Sequence, residues 1–292
     1  MRAKAAGLCI CLLMGAAGLA QEAPQSATPP NGPTQPGYSQ AYCSGFVTDQ
    51  GVPDEMRLIS GEQSDYKITF ARGDYVYINR GSNQGVRDGD RFSAVRPVSD
   101  PVEVPYFKWQ AKLMHAMGVA YSDLGEMRVV KVQPNVSIAQ VTMSCGYMQR
   151  GDIVRPYVER PIPEFKQGAF DHFAPVSGKP VAMVVTAKDF AQSDGQNDTI
   201  YVNLGTNQGV KVGDYFRIFR YEGTRASLIA IDKDTQYKMY GFGSAPQAYK
   251  WNDLPREVLG EGIVLNASHN SATVLLTFTS SAVYSGDYVE IE

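Results

Sequence analysis

The sequence predicts a mainly β protein: two tandem small β-barrels arising from an internal duplication, with one short helix. Three observations carry that expectation. Residues 74–96 (DYVYINRGSNQGVRDGDRFSAVR) match residues 198–220 (DTIYVNLGTNQGVKVGDYFRIFR) without a gap, with 12 of 23 positions identical. A later block, LGEMRVVKVQPNVSIAQVTMSCGYMQRGDIV from Leu124, repeats as LGEGIVLNASHNSATVLLTFTSSAVYSGDYV from Leu259. The first pair is displaced by 124 residues and the second by 135, so copy two carries 11 extra residues between its blocks. So long a period excludes a solenoid repeat and implies self-contained domains. Finally, the local chemistry is β, with β-branched and aromatic runs such as Tyr75–Ile78 and Ile200–Val202.

Along the chain, residues 1–20 read as a secretory signal peptide. Arg2 and Lys4 precede an apolar run from Ala5 to Ala20 that is too short for a membrane span and exits through small residues. No transmembrane anchor is expected after its cleavage. Residues 21–42, rich in proline and small polar side chains, cannot bury enough apolar area to offset chain ordering and read as a disordered tether. The first barrel is expected over 43–157, a proline-rich linker over 158–180 and the second barrel over 181–292.

Within each barrel, the glycines Gly81, Gly85 and Gly89, and their counterparts Gly205, Gly209 and Gly213, are expected to supply positive-φ turn positions. Asp90 and Asp214 are expected to accept hydrogen bonds from turn amides, with Val86 and Val210 plugging the barrel ends and Phe92 and Phe216 facing inward. Alternation places Ala139, Val141 and Met143, and likewise Val274, Leu276 and Phe278, on one buried face. Between the blocks, Pro105–Gly118 is the one helix candidate, with Trp109, Leu113 and Met117 on its apolar side.

Composition excludes several functions. Lys+Arg number 27 against 30 Asp+Glu, a net charge of −3, which lacks the cationic excess a nucleic-acid binder needs. With 3 histidines and 4 cysteines, two of those cysteines inside the signal peptide, no metal or cofactor site is expected. The glycine turns lack the Lys-Ser/Thr step and following helix of a phosphate loop. Neither Asp88/Asp90 nor the Asp194–Asp198 stretch has the spacing of a calcium loop. Arg72-Gly73-Asp74 and Arg150-Gly151-Asp152 spell an adhesion tripeptide but read as turns, since only Gly-Asp recurs in the second pair. The isolated histidines and the absence of a nucleophile motif point to a non-enzymatic protein. Cys43 and Cys145 remain after export and predict one disulfide, worth on the order of 4–5 kcal/mol for a ring of about 100 residues; the alternative is a pair of buried thiols.

The strand–GxNxGVxxGDxF–strand block followed by LGE, a hairpin and a terminal GDxV resembles the C-terminal domain of flagellar assembly protein T. The resemblance covers most of residues 67–157 and 181–292. It implies SH3-like β-barrels and a periplasmic, non-catalytic assembly component. The expected function is therefore a secreted cell-envelope protein, a structural or protein-binding part of a periplasmic or outer-membrane-associated assembly, with a glycan- or peptidoglycan-binding module as the alternative. Envelope proteins are the expected partners. The insert Gln236–Trp251 concentrates aromatic and methionine side chains, and Tyr240, Phe242 and Trp251 are its candidate partner-binding residues.

Overall fold

The computed structural model describes residues 34–101, 105–166, 168–221 and 256–292. The chain runs α1 (Tyr38–Tyr42), β1 (Phe46–Thr48), β2 (Leu58–Gly61), β3 (Thr69–Phe70), β4 (Tyr75–Ile78), β5 (Arg91–Val98), α2 (Gln110–Met117), β6 (Val119–Val132), β7 (Ser137–Ser144), β8 (Met148–Gln149) and β9 (Ile153–Pro156). Copy two follows as β10 (Val181–Ala187), β11 (Ser193–Asp194), β12 (Thr199–Val202), β13 (Tyr215–Tyr221), β14 (Arg256–Ala267), β15 (Ala272–Thr279), β16 (Val283–Tyr284) and β17 (Tyr288–Ile291). The signal-peptide stretch and the candidate residues Tyr240, Phe242 and Trp251 lie outside the described residues.

Copy two closes as a six-stranded barrel in the order β10-β12-β15-β14-β13-β17, with β17 pairing back onto β10. Copy one repeats this order strand for strand as β2-β4-β7-β6-β5-β9, and β1 adds to the early part of β6. Its two edge strands meet through one bridge, Arg57 to Ile153, supported by backbone bonds such as Val154 N–H to the Met56 carbonyl at 2.8 Å. Each barrel is filled by its own apolar side chains. Leu58, Phe70, Ile78, Phe92, Met127 and Val141 fill the first; Val184, Ile200, Phe216, Ile218, Leu259 and Val274 fill the second. Val86 and Val210 belong to these two cores. A buried ion pair recurs as well. Arg96 grips Asp152 at 2.7 and 2.9 Å, and Arg220 grips Asp287 at 2.8 and 2.7 Å, tying β5 and β13 to the turn before the last strand of each barrel. The Gly-Asp of that turn is therefore structural.

The two barrels share an apolar seam. Val47, Met117 and Ala120 of copy one pack with Val185 and Tyr201 of copy two. The segment after Cys43 is the wedge. Ser44 carbonyl accepts from the Tyr201 hydroxyl at 2.8 Å, and Val47 carbonyl accepts from the Ser271 hydroxyl at 2.6 Å. This cover explains why β12 is buried on both faces whereas its counterpart β4 alternates. The Cys43–Cys145 disulfide, with Cα atoms 5.2 Å apart, anchors the start of the wedge to the turn after β7.

Several expectations are corrected. The tether does not stay unstructured to residue 42: α1 occupies Tyr38–Tyr42, with Ala41 and Tyr42 buried, because stacked tyrosines and the adjacent disulfide hold it. The second helix is shorter than 105–118; Leu113 and Met117 pack into the seam between the barrels as expected, and only Trp109 departs. Phe107, Gln110 and Met117 face inward while Trp109 is 56% exposed, since the chain turns before Gln110 and only then becomes helical. Gly85, Gly89, Gly209 and Gly213 have φ between 84° and 92°, but Gly81 and Gly205 are extended at −138° and −144°. Glycine is needed at those two for space: a Cβ would lie 2.1 Å from the Gln133 carbonyl oxygen and 2.2 Å from that of Ser268. The strand alternation also breaks. β-Bulges between Glu126 and Met127, and between Glu261 and Gly262, leave Met143 half-buried and Phe278 40% exposed.

Candidate functional site

Those bulges shape the outer face of each barrel. In copy one, Glu126 of the Leu-Gly-Glu step is 5% exposed and is held from two sides. The Tyr38 hydroxyl donates to Oε1 at 2.5 Å and Arg91 Nη2 to Oε2 at 2.8 Å. The Thr142 hydroxyl donates to the Glu126 carbonyl at 3.2 Å and fixes the bulge. Around this carboxylate lies a groove of about 490 Å³, lined by Tyr38, Arg72, Arg91, Glu126, Arg128, Thr142 and Met143.

One wall of the groove is an aromatic and ionic stack. Tyr38 stacks on Tyr42 at 4.2 Å and Tyr42 on Tyr157 at 5.8 Å, while the Arg91 guanidinium sits 3.7 Å over the Tyr157 ring. Arg160 grips buried Asp123 at 2.7 and 2.9 Å and donates its backbone N–H to the Tyr42 hydroxyl at 2.8 Å. Burial and the bond to Glu126 hold the Tyr38 hydroxyl protonated, well above the usual tyrosine range. The bond to Glu126 likewise raises Arg91 above the usual arginine range, so its guanidinium stays charged. The opposite side differs: Arg72 and Arg128 are exposed, and neither forms an ion pair among the described residues.

The turn residues singled out in the sequence do local work. Asp90 accepts from the Arg87 N–H at 2.9 Å, and Asp214 from the Lys211 N–H at 2.8 Å. They and the turn glycines are not part of the groove lining, although the Gly89 carbonyl accepts from Arg128 Nε at 3.3 Å. The three histidines are dispersed: His115 is exposed, His172 stands 4.0 Å from Glu257, and His269 stands 3.7 Å from Asp49. Among the described residues no group of three His, Cys, Asp or Glu side chains is placed to hold a metal ion.

Sequence reasoning missed the groove residues. The available signal was divergence between the copies: Arg72, Arg91 and Arg128 correspond to Gln196, Tyr215 and Ile263. It weighed Asp194 only as a calcium ligand and missed its burial in the place of Phe70 of copy one. Asp194 is 3% exposed, and its Oδ2 has no hydrogen-bond partner. Burial, reinforced by the charge of Asp198, pushes its carboxyl up to about 7. Comparison with known proteins yields no matching family model and no matching curated protein, so the site stands on its own geometry.

Proposed function

We propose that this chain is an exported, non-enzymatic cell-envelope protein that binds other proteins within a periplasmic or outer-membrane-associated assembly. The observation that carries the reading is the groove on barrel one: its counterpart on barrel two is covered by Phe165 and Lys166 of the same chain, whereas on barrel one only Tyr38, at the Glu126 end, reaches it among the described residues. A surface built to hold an extended peptide, presented on rigid β-structure, suits protein recognition.

Export is supported by the N-terminal basic-then-apolar pattern and by the disulfide, which forms in oxidising compartments. Among the described residues no helix is long and apolar enough to cross a membrane. The resemblance to the flagellar assembly protein T domain supports an assembly role. The glycan reading draws on exposed rings, chiefly Tyr66 at 84% and Trp109 at 56%.

The test is a photo-crosslinking amino acid at exposed Thr142 on the groove floor, with Lys211 on barrel two as control position. In the exporting host, Thr142 is expected to yield a discrete protein adduct that Lys211 does not. Retention of the purified chain on cell-wall sacculi, with no Thr142-specific adduct, would replace this reading by the glycan one.

A further inference from the structure

Barrel two contains a template for what barrel one takes. The linker crosses its outer face as extended chain. Phe165 packs on Ile263, Leu265 and Leu275. Lys166 Nζ reaches Glu261 at 2.7 Å and Glu292 at 2.6 Å, and its backbone N–H donates to the Tyr215 hydroxyl at 2.8 Å. Further on, the Phe170 ring lies 4.6 Å from that of Phe278. Burial works against the charge of Lys166, yet the two carboxylates outweigh it and hold the ammonium above the usual lysine range.

The 124- and 135-residue shifts place Tyr215, Glu261, Ile263 and Phe278 of this contact opposite Arg91, Glu126, Arg128 and Met143 of the barrel-one groove. Glu261 corresponds to Glu126 and Thr277 to Thr142, and both threonines donate to the glutamate carbonyl, at 3.1 and 3.2 Å. The grooves are therefore the same structure. Their chemistry is not. Ile263 under Phe165 becomes Arg128, Tyr215 becomes Arg91, and Gln196 becomes Arg72. Glu126 is already bonded by Tyr38 and Arg91, so an incoming lysine has no free carboxylate to meet. Three guanidiniums against one carboxylate make a cationic patch on a chain of net charge −3.

We propose that the barrel-one groove binds an extended, acidic peptide segment of a partner protein, in the manner in which barrel two holds Phe165, Lys166 and Phe170 of its own chain. This deepens, and rests on, the protein-binding reading above. Carboxylates of the segment lie against Arg72 and Arg128, and an apolar side chain near its end lies against Met143 as Phe170 lies against Phe278. Charge complementarity sets the preference, since guanidinium–carboxylate contacts are directional and paired.

The probe is a labelled synthetic peptide of residues 161–170 (PIPEFKQGAF) carrying Phe165→Glu and Lys166→Glu, titrated against the full exported chain. It is expected to bind about tenfold or more tightly than the unmodified peptide, and to weaken as salt rises. In the double variant Arg72→Glu/Arg128→Glu, whose side chains are both exposed and whose fold is checked by its unchanged melting temperature, the preference is expected to reverse. Equal affinity for the two peptides, or no effect of the double variant, overturns the proposal. Inorganic phosphate displacing the acidic peptide at comparable concentration makes the groove a general anion site and overturns it too. So does Arg72- and Arg128-dependent binding to phosphatidylglycerol vesicles without peptide binding. A Thr142-specific protein adduct together with no acidic preference refutes this inference alone; loss of that adduct refutes the protein-binding reading itself.

Discussion

Replacing Asp194 by asparagine should make the protein more stable above neutral pH and leave it unchanged in acid. Asp194 lies at the position of Phe70 in the duplicate, 3% exposed with Oδ2 unpartnered, so its charged form is shielded from bulk solvent and has no paired cation among the described residues. Burial and the nearby Asp198 charge move the carboxyl from the usual range near 4 up to about 7. Between those limits the folded state binds more protons than the unfolded state, so stability is fully present below about pH 4 and is lost as pH rises through about 7. A displacement of about three pH units sets a ceiling of ~4 kcal/mol on that loss. Asp194→Asn keeps the shape of the protonated acid and removes the titration. The assay is urea unfolding of parent and variant from pH 4 to pH 8, compared as a difference so that other titrating groups, such as buried Asp287, cancel. The two stabilities should coincide at pH 4 and separate by ~2–4 kcal/mol at pH 8, in favour of the variant. Parallel curves across that range would mean that the carboxyl is hydrated or paired, and the reasoning would fail.

Three further outcomes are expected. Peptide mapping without reductant should recover Cys43 linked to Cys145, and Cys43→Ala/Cys145→Ala should lose up to ~4–5 kcal/mol in denaturant unfolding for a bridge spanning 102 residues. Gly209→Val should cost ~1–2 kcal/mol from its φ of 84° alone, because a Cβ there meets nothing within 4 Å. Gly205→Ala should cost more, because its Cβ would meet backbone at 2.2 Å; the reverse order in thermal melts would show the turn geometry to be wrong. Tyr201→Phe removes the buried bond to the Ser44 carbonyl and should cost ~1–2 kcal/mol, read as a lowered melting temperature.

Much of the fold was legible in the sequence because it rests on short-range rules. The duplicated blocks identify two equivalent barrels, β-branched and aromatic runs identify strands, Gly-Asp steps identify turns, and the two cysteines beyond the N-terminal apolar run leave one intramolecular pairing. The failures have long-range causes. Met143 and Phe278 leave the buried face because a bulge in their own strands, with Thr142 and Thr277 as the extra residues, shifts the register, and a bulge shows only in the pairing with the neighbouring strand. Trp109 is exposed because it lies in the turn before α2, ahead of the first helical residue. Gly81 and Gly205 answer to the close approach of a distant hairpin, so a rule of positive φ misreads them. Tyr77 and Tyr201 are identical in the repeat, yet only Tyr201 is buried, because the disulfide-anchored wedge covers that face of barrel two. The groove belongs to the same class. Arg72, Arg91 and Arg128 are ordinary surface residues in the sequence, and only the pairing of β4 and β5 with β7 and β6 gathers them around Glu126. Sequence determines what each strand is; tertiary packing determines which faces of equivalent strands are covered, because that depends on contacts between segments far apart along the chain.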